Sequence, residues 1–158
     1  VKQEYINSFY KATIDVFRLM LDVEINREEI SLVDGMISSK EANVVLGVTG
    51  DLKGSILFSF PKKMTLKMIK IMCGMEMDRI DEFVSSALGE MANIIGGNAL
   101  TLLNSNNYLC DIVPPQIFVG EYNSYSMANE KALFLPIKSS IGNFDIHIFL
   151  EEKATNQF

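Results

Sequence analysis

From about Asp78 to Leu103 the chain keeps an unbroken helical period of hydrophobicity, the longest periodic stretch in its sequence. At 1.5 Å per residue, about 25 residues make a rod of roughly 37 Å, enough to cross a domain. In a chain of 158 residues a helix this long cannot be buried all round. One face must cover a core, and another must meet solvent or a partner. Asp78 reads as the N-cap, and Asp81 and Glu82 fall in the first turn, where carboxylates oppose the helix dipole favourably. The polar run Asn104 to Asn107 ends the helix.

The remaining segments say what the rod lies on. Ile6, Phe9, Tyr10, Thr13, Phe17, Met20 and Leu21 recur at spacings of three and four, which predicts a first helix over Tyr5 to Leu21. Residues Glu28 to Ser38 read as a strand. Ala42 to Thr49 and Lys53 to Phe60 are apolar runs joined by Gly50, Asp51 and Leu52, a tight hairpin. Gly47 to Ser55 superficially suggests a phosphate loop, but no glycine precedes Lys53 and no helix follows at once, so the hairpin is the stronger reading. Pro61 opens a short second helix in its first turn, Met64, Met68, Ile71 and Met72 repeat at helical spacing, and Gly74 closes it. Lys62, Lys63, Lys67 and Lys70 mark its exposed side.

Beyond the long helix, strands are predicted over Leu109 to Val113, Gln116 to Gly120, Ala132 to Lys138 and Phe144 to Leu150. Pro114 and Pro115 remove two ladder donors, which puts that crossing at a sheet edge or a bend. Ile146, Ile148 and Leu150 alternate with Asp145, His147 and Phe149, giving the last strand one consistently apolar side. The order of elements predicts an α+β fold, an antiparallel sheet with long helices packed on it. Residues 1–153 are expected to form a single domain and 154–158 a loose C-terminal tail.

Charge and cysteine content narrow the function. A formal net charge of -6 argues against a nucleic-acid partner, since phosphate backbones are held by clustered Lys and Arg. Cys73 and Cys110, with the single His147, supply neither a disulfide framework nor a metal ligand set, and both thiols are expected reduced and buried. No apolar run is long enough for a membrane helix. Val1 to Glu4 is polar and charged where a secretory signal would be apolar, so a cytoplasmic location is expected.

The long helix carries the candidate site. On a wheel of about 100° per residue, Phe83, Val84, Ala87, Leu88, Met91, Ile94, Ile95 and Leu102 gather in the core sector. Ser86, Glu90, Asn93 and Gly97 gather opposite, because offsets of three and four keep side chains on one side. A solvated face is the ordinary explanation of such a stripe. Three features weaken it. Asn93 is a poor helix former in mid-helix, and Gly89, Gly96 and Gly97 each cost about 1 kcal/mol relative to Ala. Gly89 and Gly96, seven residues apart, would also admit close packing, either within the fold or against a partner. The Asn93 amide offers a donor and an acceptor in fixed geometry, suited to orienting water, and Glu90 can serve as a base or an ion-pair partner. No serine, histidine and acid constellation assembles around His147. An enzyme built on this stripe must borrow much of its active site from its substrate. Glu4 and Asn7 share the offset of Glu90 and Asn93 but lack the glycines, and are read as coincidence.

Ser86, Glu90 and Asn93 match the Ser/Asp-x-x-x-Glu-x-x-Asn signature, and the chain resembles the CheX phosphatases of the CheC, CheX and FliY family. The likeness runs through Gly47 to Ser55, Ala87 to Asn93, Val113-Pro114-Pro115, Leu135-Pro136-Ile137 and Phe144 to His147, in family order over roughly residues 3 to 152. Only one signature helix is intact, as in CheX. The resemblance implies hydrolysis of the aspartyl phosphate on a CheY-type response regulator. Asn93 would position the attacking water, Glu90 would pair with the receiver's lysine, and Ser86 and Gly97 would lie in the contact. The receiver would supply Mg²⁺, so the chain needs no cofactor of its own. It also implies a homodimer joined through a sheet edge. The lysines of the second helix would equally suit an acidic receiver surface. The competing reading is a non-catalytic docking module of the same fold that binds a receiver or switch protein.

Overall fold

The hairpin read around Gly50 and Asp51 is the centre of the structure. The computed structural model describes residues 3–33, 36–37, 40–120, 125–126 and 132–152. In chain order it has α1 (Gln3–Leu21), β1 (Ile25–Arg27), β2 (Ser31–Val33), β3 (Met36–Ile37), β4 (Ala42–Gly50), β5 (Leu52–Phe60), α2 (Lys62–Cys73) and α3 (Glu82–Ser105). These are followed by β6 (Cys110–Ile112), β7 (Gln116–Val119), β8 (Tyr125–Ser126), β9 (Ala132–Ser139) and β10 (Phe144–Glu152). The main sheet has eight strands along the path β1-β9-β10-β5-β4-β6, with β2 also on β9 and β7 also on β4; β3 and β8 pair separately. Every pairing is antiparallel, and the fold is α+β.

Register follows the apolar alternation. Ile146 faces Phe58 and Leu135, and Ile148 faces Ile56 and Leu133, so the inward rows of three strands coincide. α1 is seated on this face by three phenylalanines. Phe17 stacks on Phe144 at 5.0 Å, and Phe60 lies 4.8 Å from Phe144. The other face of the sheet is covered too, with Leu57, Ala132 and Phe149 forming a second, smaller buried cluster.

The hairpin tip is tied to the chain that leaves α3. Asp51 N–H donates to Leu109 O at 2.9 Å, and Leu109 N–H donates to Asp51 Oδ2 at 2.8 Å. A Cβ on Gly50, at φ +106°, would lie 2.5 Å from Leu109 O, so only glycine permits this approach. Beyond it the edge is broken into β6 and β7, with Pro114 and Pro115 between them, and both pieces pair with β4. Two residues without N–H groups cannot carry a continuous ladder.

Several local expectations are corrected. The strand placed over 28–38 contains two short pieces instead: β2 pairs with β9 and β3 lies outside the main sheet, while β1, also on β9, precedes the predicted span. The N-cap of α3 is Asp81, not Asp78: its Oδ1 accepts from Val84 N–H at 2.9 Å, while the preceding Ile80 packs on the core and sets the chain's entry. Pro61 is the N-cap residue of α2 rather than its first helical residue. The buried residues of α2 are Met64, Thr65, Met68 and Ile69; Ile71 is exposed, and the four lysines face solvent as expected. Cys110 is buried, but Cys73, at the end of α2, is exposed. The tail assigned to 154–158 lies outside the described residues. Among the described residues no helix is long and apolar enough to cross a membrane.

Candidate functional site

α3 lies along the helical side of the sheet, packed against α1 on one flank and against β4, β6 and β7 on the other. Its buried residues are Val84, Leu88, Met91, Ala92, Ile95, Gly96, Ala99 and Leu103. This core face is rotated from the one read off the sequence. Ala92, Gly96 and Ala99 are small residues that weigh lightly on a wheel, yet all three are buried, and Gly96 lies against Leu46 and Ile112 of the sheet. Rotation in that direction leaves Ala87, Ile94 and Leu102 half-buried and brings Phe83, assigned to the core, to the surface at 43% exposure.

The predicted polar stripe is where the sequence placed it. Ser86, Glu90, Asn93 and Gly97 are all exposed on one side of α3. Among the described residues neither the Glu90 carboxylate nor the Asn93 amide makes a hydrogen bond or ion pair, so both are available to another molecule. A three-residue offset puts their Cβ atoms about 5–6 Å apart.

The three glycines separate into different roles. A Cβ on Gly96 would lie 2.8 Å from both Leu46 Cδ2 and Ile112 Cδ1, so this glycine serves the packing of α3 on the sheet. At Gly89 the nearest atom would be Ile117 Cδ1 at 3.7 Å, an ordinary contact. At Gly97 nothing among the described residues lies within 4 Å, so they give no reason for a glycine there. Gly96 therefore belongs to the interior, Gly89 is half-buried beside Ile117, and Gly97 belongs to the open face.

His147 is remote from this chemistry. It alternates with Ile146 and Ile148 of the helix-side core, and so lies on the opposite face of the sheet from α3. Its ring stacks on Phe134 at 4.8 Å, and among the described residues its Nδ1 has no hydrogen-bond partner. Burial pushes its pKa down to about 4, so the ring is neutral near pH 7. Among the described residues no three His, Cys, Asp or Glu side chains gather as a metal site. Glu4 and Asn7 are exposed at the start of α1, where Asn7 Oδ1 accepts from Gln3 Nε2 at 3.2 Å.

Phe83 is the residue of this face that the sequence reading misplaced. A signal for it was present: Phe83, Glu90 and Gly97 are spaced by seven, which returns to nearly the same side of a helix.

Comparison with known proteins identifies the family and the fold. The family model described as chemotaxis phosphatase CheX matches residues 42–138, a span that contains the whole stripe. A CheY-P phosphatase CheX from Thermotoga maritima is 29% identical over 148 residues, covering 90% of this chain and 93% of the relative. A CheC-like superfamily protein from Shewanella sp. PV-4 superposes with a TM-score of 0.86 at 25% identity, covering 96% of this chain and 99% of that one. The CheX chain of a CheX–CheY–BeF3–Mg²⁺ complex from Borrelia burgdorferi is similar at a TM-score of 0.79 and 29% identity, covering 94% of this chain and 98% of that one.

Proposed function

The chain belongs to the CheX family of chemotaxis phosphatases, and on that premise we propose that it hydrolyses the aspartyl phosphate of a phosphorylated CheY-type receiver domain. The observation that carries the reading is the pairing of Glu90 and Asn93 on one open face of α3, with neither side chain engaged by another among the described residues. The Thermotoga relative bears the phosphatase name, and the Borrelia relative was solved with CheY, BeF3 and Mg²⁺, which supports a receiver as substrate.

In this reading α3 lies across the receiver's phosphorylation site and Asn93 enters beside the phosphoryl group. Its amide accepts from and donates to its surroundings without gaining or losing a proton, and so can hold a water in line with the bond to be broken. Water oxygen attacks phosphorus, the phosphorus–oxygen bond to the aspartate breaks, and free carboxylate and inorganic phosphate result. Phosphoryl transfer depends chiefly on positioning and on charge stabilisation, so one amide is a sufficient contribution. Glu90 pairs with the receiver's lysine and sets the register of α3. Ser86 and Gly97 lie in the contact, where the missing side chain of Gly97 lets the partner's surface come close. Mg²⁺ arrives with the receiver. A homodimer joined through a sheet edge is part of the same proposal, tested by sedimentation at micromolar concentration; a monomer there would remove it.

The deciding experiment mixes the purified protein with phosphorylated receiver and Mg²⁺ and follows phosphate release. The wild-type chain should accelerate it, and Asn93→Ala should lose roughly 100-fold or more with its fold intact. Glu90→Ala should lower turnover at limiting substrate by roughly tenfold or more. A docking module would bind the receiver without hastening release, and full activity in Asn93→Ala would refute the assigned role.

A further inference from the structure

Phe83 stands in the first turn of α3 with 43% of its surface exposed, although the helix offers buried positions on its other side. Seven residues of α helix return to within about 20° of the starting direction, so Phe83 shares the side of Glu90 and Gly97. Along the axis it precedes Glu90 by about 10 Å and Asn93 by about 15 Å. Half-buried Ala87 and Ile94 continue an apolar flank beside the polar stripe. Among the described residues Phe83 is the one aromatic side chain in the exposed class, and the one exposed large hydrophobic residue on α3. Val84, Leu88, Met91, Ile95 and Leu103 supply this helix's buried large side chains, so the fold does not account for the ring.

Resting on the reading of α3 as the receiver-docking helix, we infer that Phe83 is the apolar anchor of that surface. Its ring seats on an apolar patch of the receiver about 15 Å, measured along α3, from the phosphoryl group. The occupant follows from continuity: the same side of the same helix carries the groups that must reach the phosphoryl site, and an aromatic at the end of that line is covered by whatever covers them. Aromatic side chains are the usual source of binding energy at such contacts, since they bury a large area at little cost in conformational entropy. Phe83 is a positioning residue in this scheme. Covered, it holds Asn93 in register without touching the reacting atoms.

Steady-state hydrolysis of phosphorylated receiver, over a range of receiver concentrations, tests this with the wild type, Phe83→Ala, Phe83→Leu and Asn93→Ala. Phe83→Ala should raise KM about tenfold while kcat stays within a factor of about two, and Phe83→Leu should recover most of the loss. Unchanged KM in Phe83→Ala, with Asn93→Ala inactive, overturns the anchor and leaves the phosphatase reading standing. A fall in kcat at constant KM also overturns it. Loss of self-association at unchanged KM would assign the ring to a second copy of this chain instead. No acceleration by the wild type would remove both the phosphatase reading and the anchor.

Discussion

Gly96 and Gly97 are adjacent in one helix and bear the same propensity penalty, yet the space at their missing side chains differs. Replacing either by alanine should gain about 1 kcal/mol from the backbone alone. At Gly97 nothing lies within 4 Å of the new Cβ, so Gly97→Ala should keep that gain. For a chain of this size the melting temperature should rise by about 2–4 °C. At Gly96 the new Cβ would meet Leu46 Cδ2 and Ile112 Cδ1, each at 2.8 Å, and Leu46 is fully buried. Both atoms end flexible side chains, but shifting them in a packed interior costs about 1–3 kcal/mol, which cancels or exceeds the propensity gain. Gly96→Ala should therefore range from neutral to about 2 kcal/mol destabilising. Calorimetry and urea unfolding of the two variants measure the difference directly, and equal shifts would refute the argument from local space. The functional half of the prediction runs opposite to the stability half. If Gly97 is glycine so that a receiver can approach, Gly97→Ala should be the more stable protein with the higher KM for phosphorylated receiver. A variant that is more stable and kinetically unchanged would show that the open position serves no docking role.

Two further predictions concern stability. Asp81→Ala removes the bond to Val84 N–H and should cost about 1 kcal/mol, whereas Asp78→Ala, outside the helix, should cost little; equal losses in thermal unfolding would restore Asp78 as the cap. His147, with its pKa lowered by burial from 6.5 to about 4, is neutral in both folded and unfolded chains above pH 6.5. As pH falls below 6.5 the unfolded chain takes up a proton that the folded chain refuses. Stability should fall by about 3 kcal/mol by pH 4 and level off beneath it. His147→Phe keeps an aromatic ring against Phe134 and cannot charge, so its stability curve should lack this component; parallel curves for the two proteins would contradict the assignment.

What the amino-acid order determined unaided is the local part of this protein. The existence and order of α1, α2 and α3, the β4–β5 hairpin and the broken edge at Pro114 and Pro115 all follow from periods and turn residues acting within a few positions, although the first residues of α2 and α3 do not. The shared side of Ser86, Glu90, Asn93 and Gly97 was legible for the same reason, because once a helix forms its own geometry places them together. Tertiary structure decided which sides of those elements are covered. It rotated α3 so that Ala92, Gly96 and Ala99 are buried and Phe83 meets solvent, left Cys73 and Ile71 outside, and placed two short strands, β2 and β3, within 28–38. It also separated Gly96 from Gly97, two identical residues whose difference is wholly in their surroundings. Burial is settled by contacts between segments far apart in the chain, and hydropathy at one position carries no record of what will arrive opposite it.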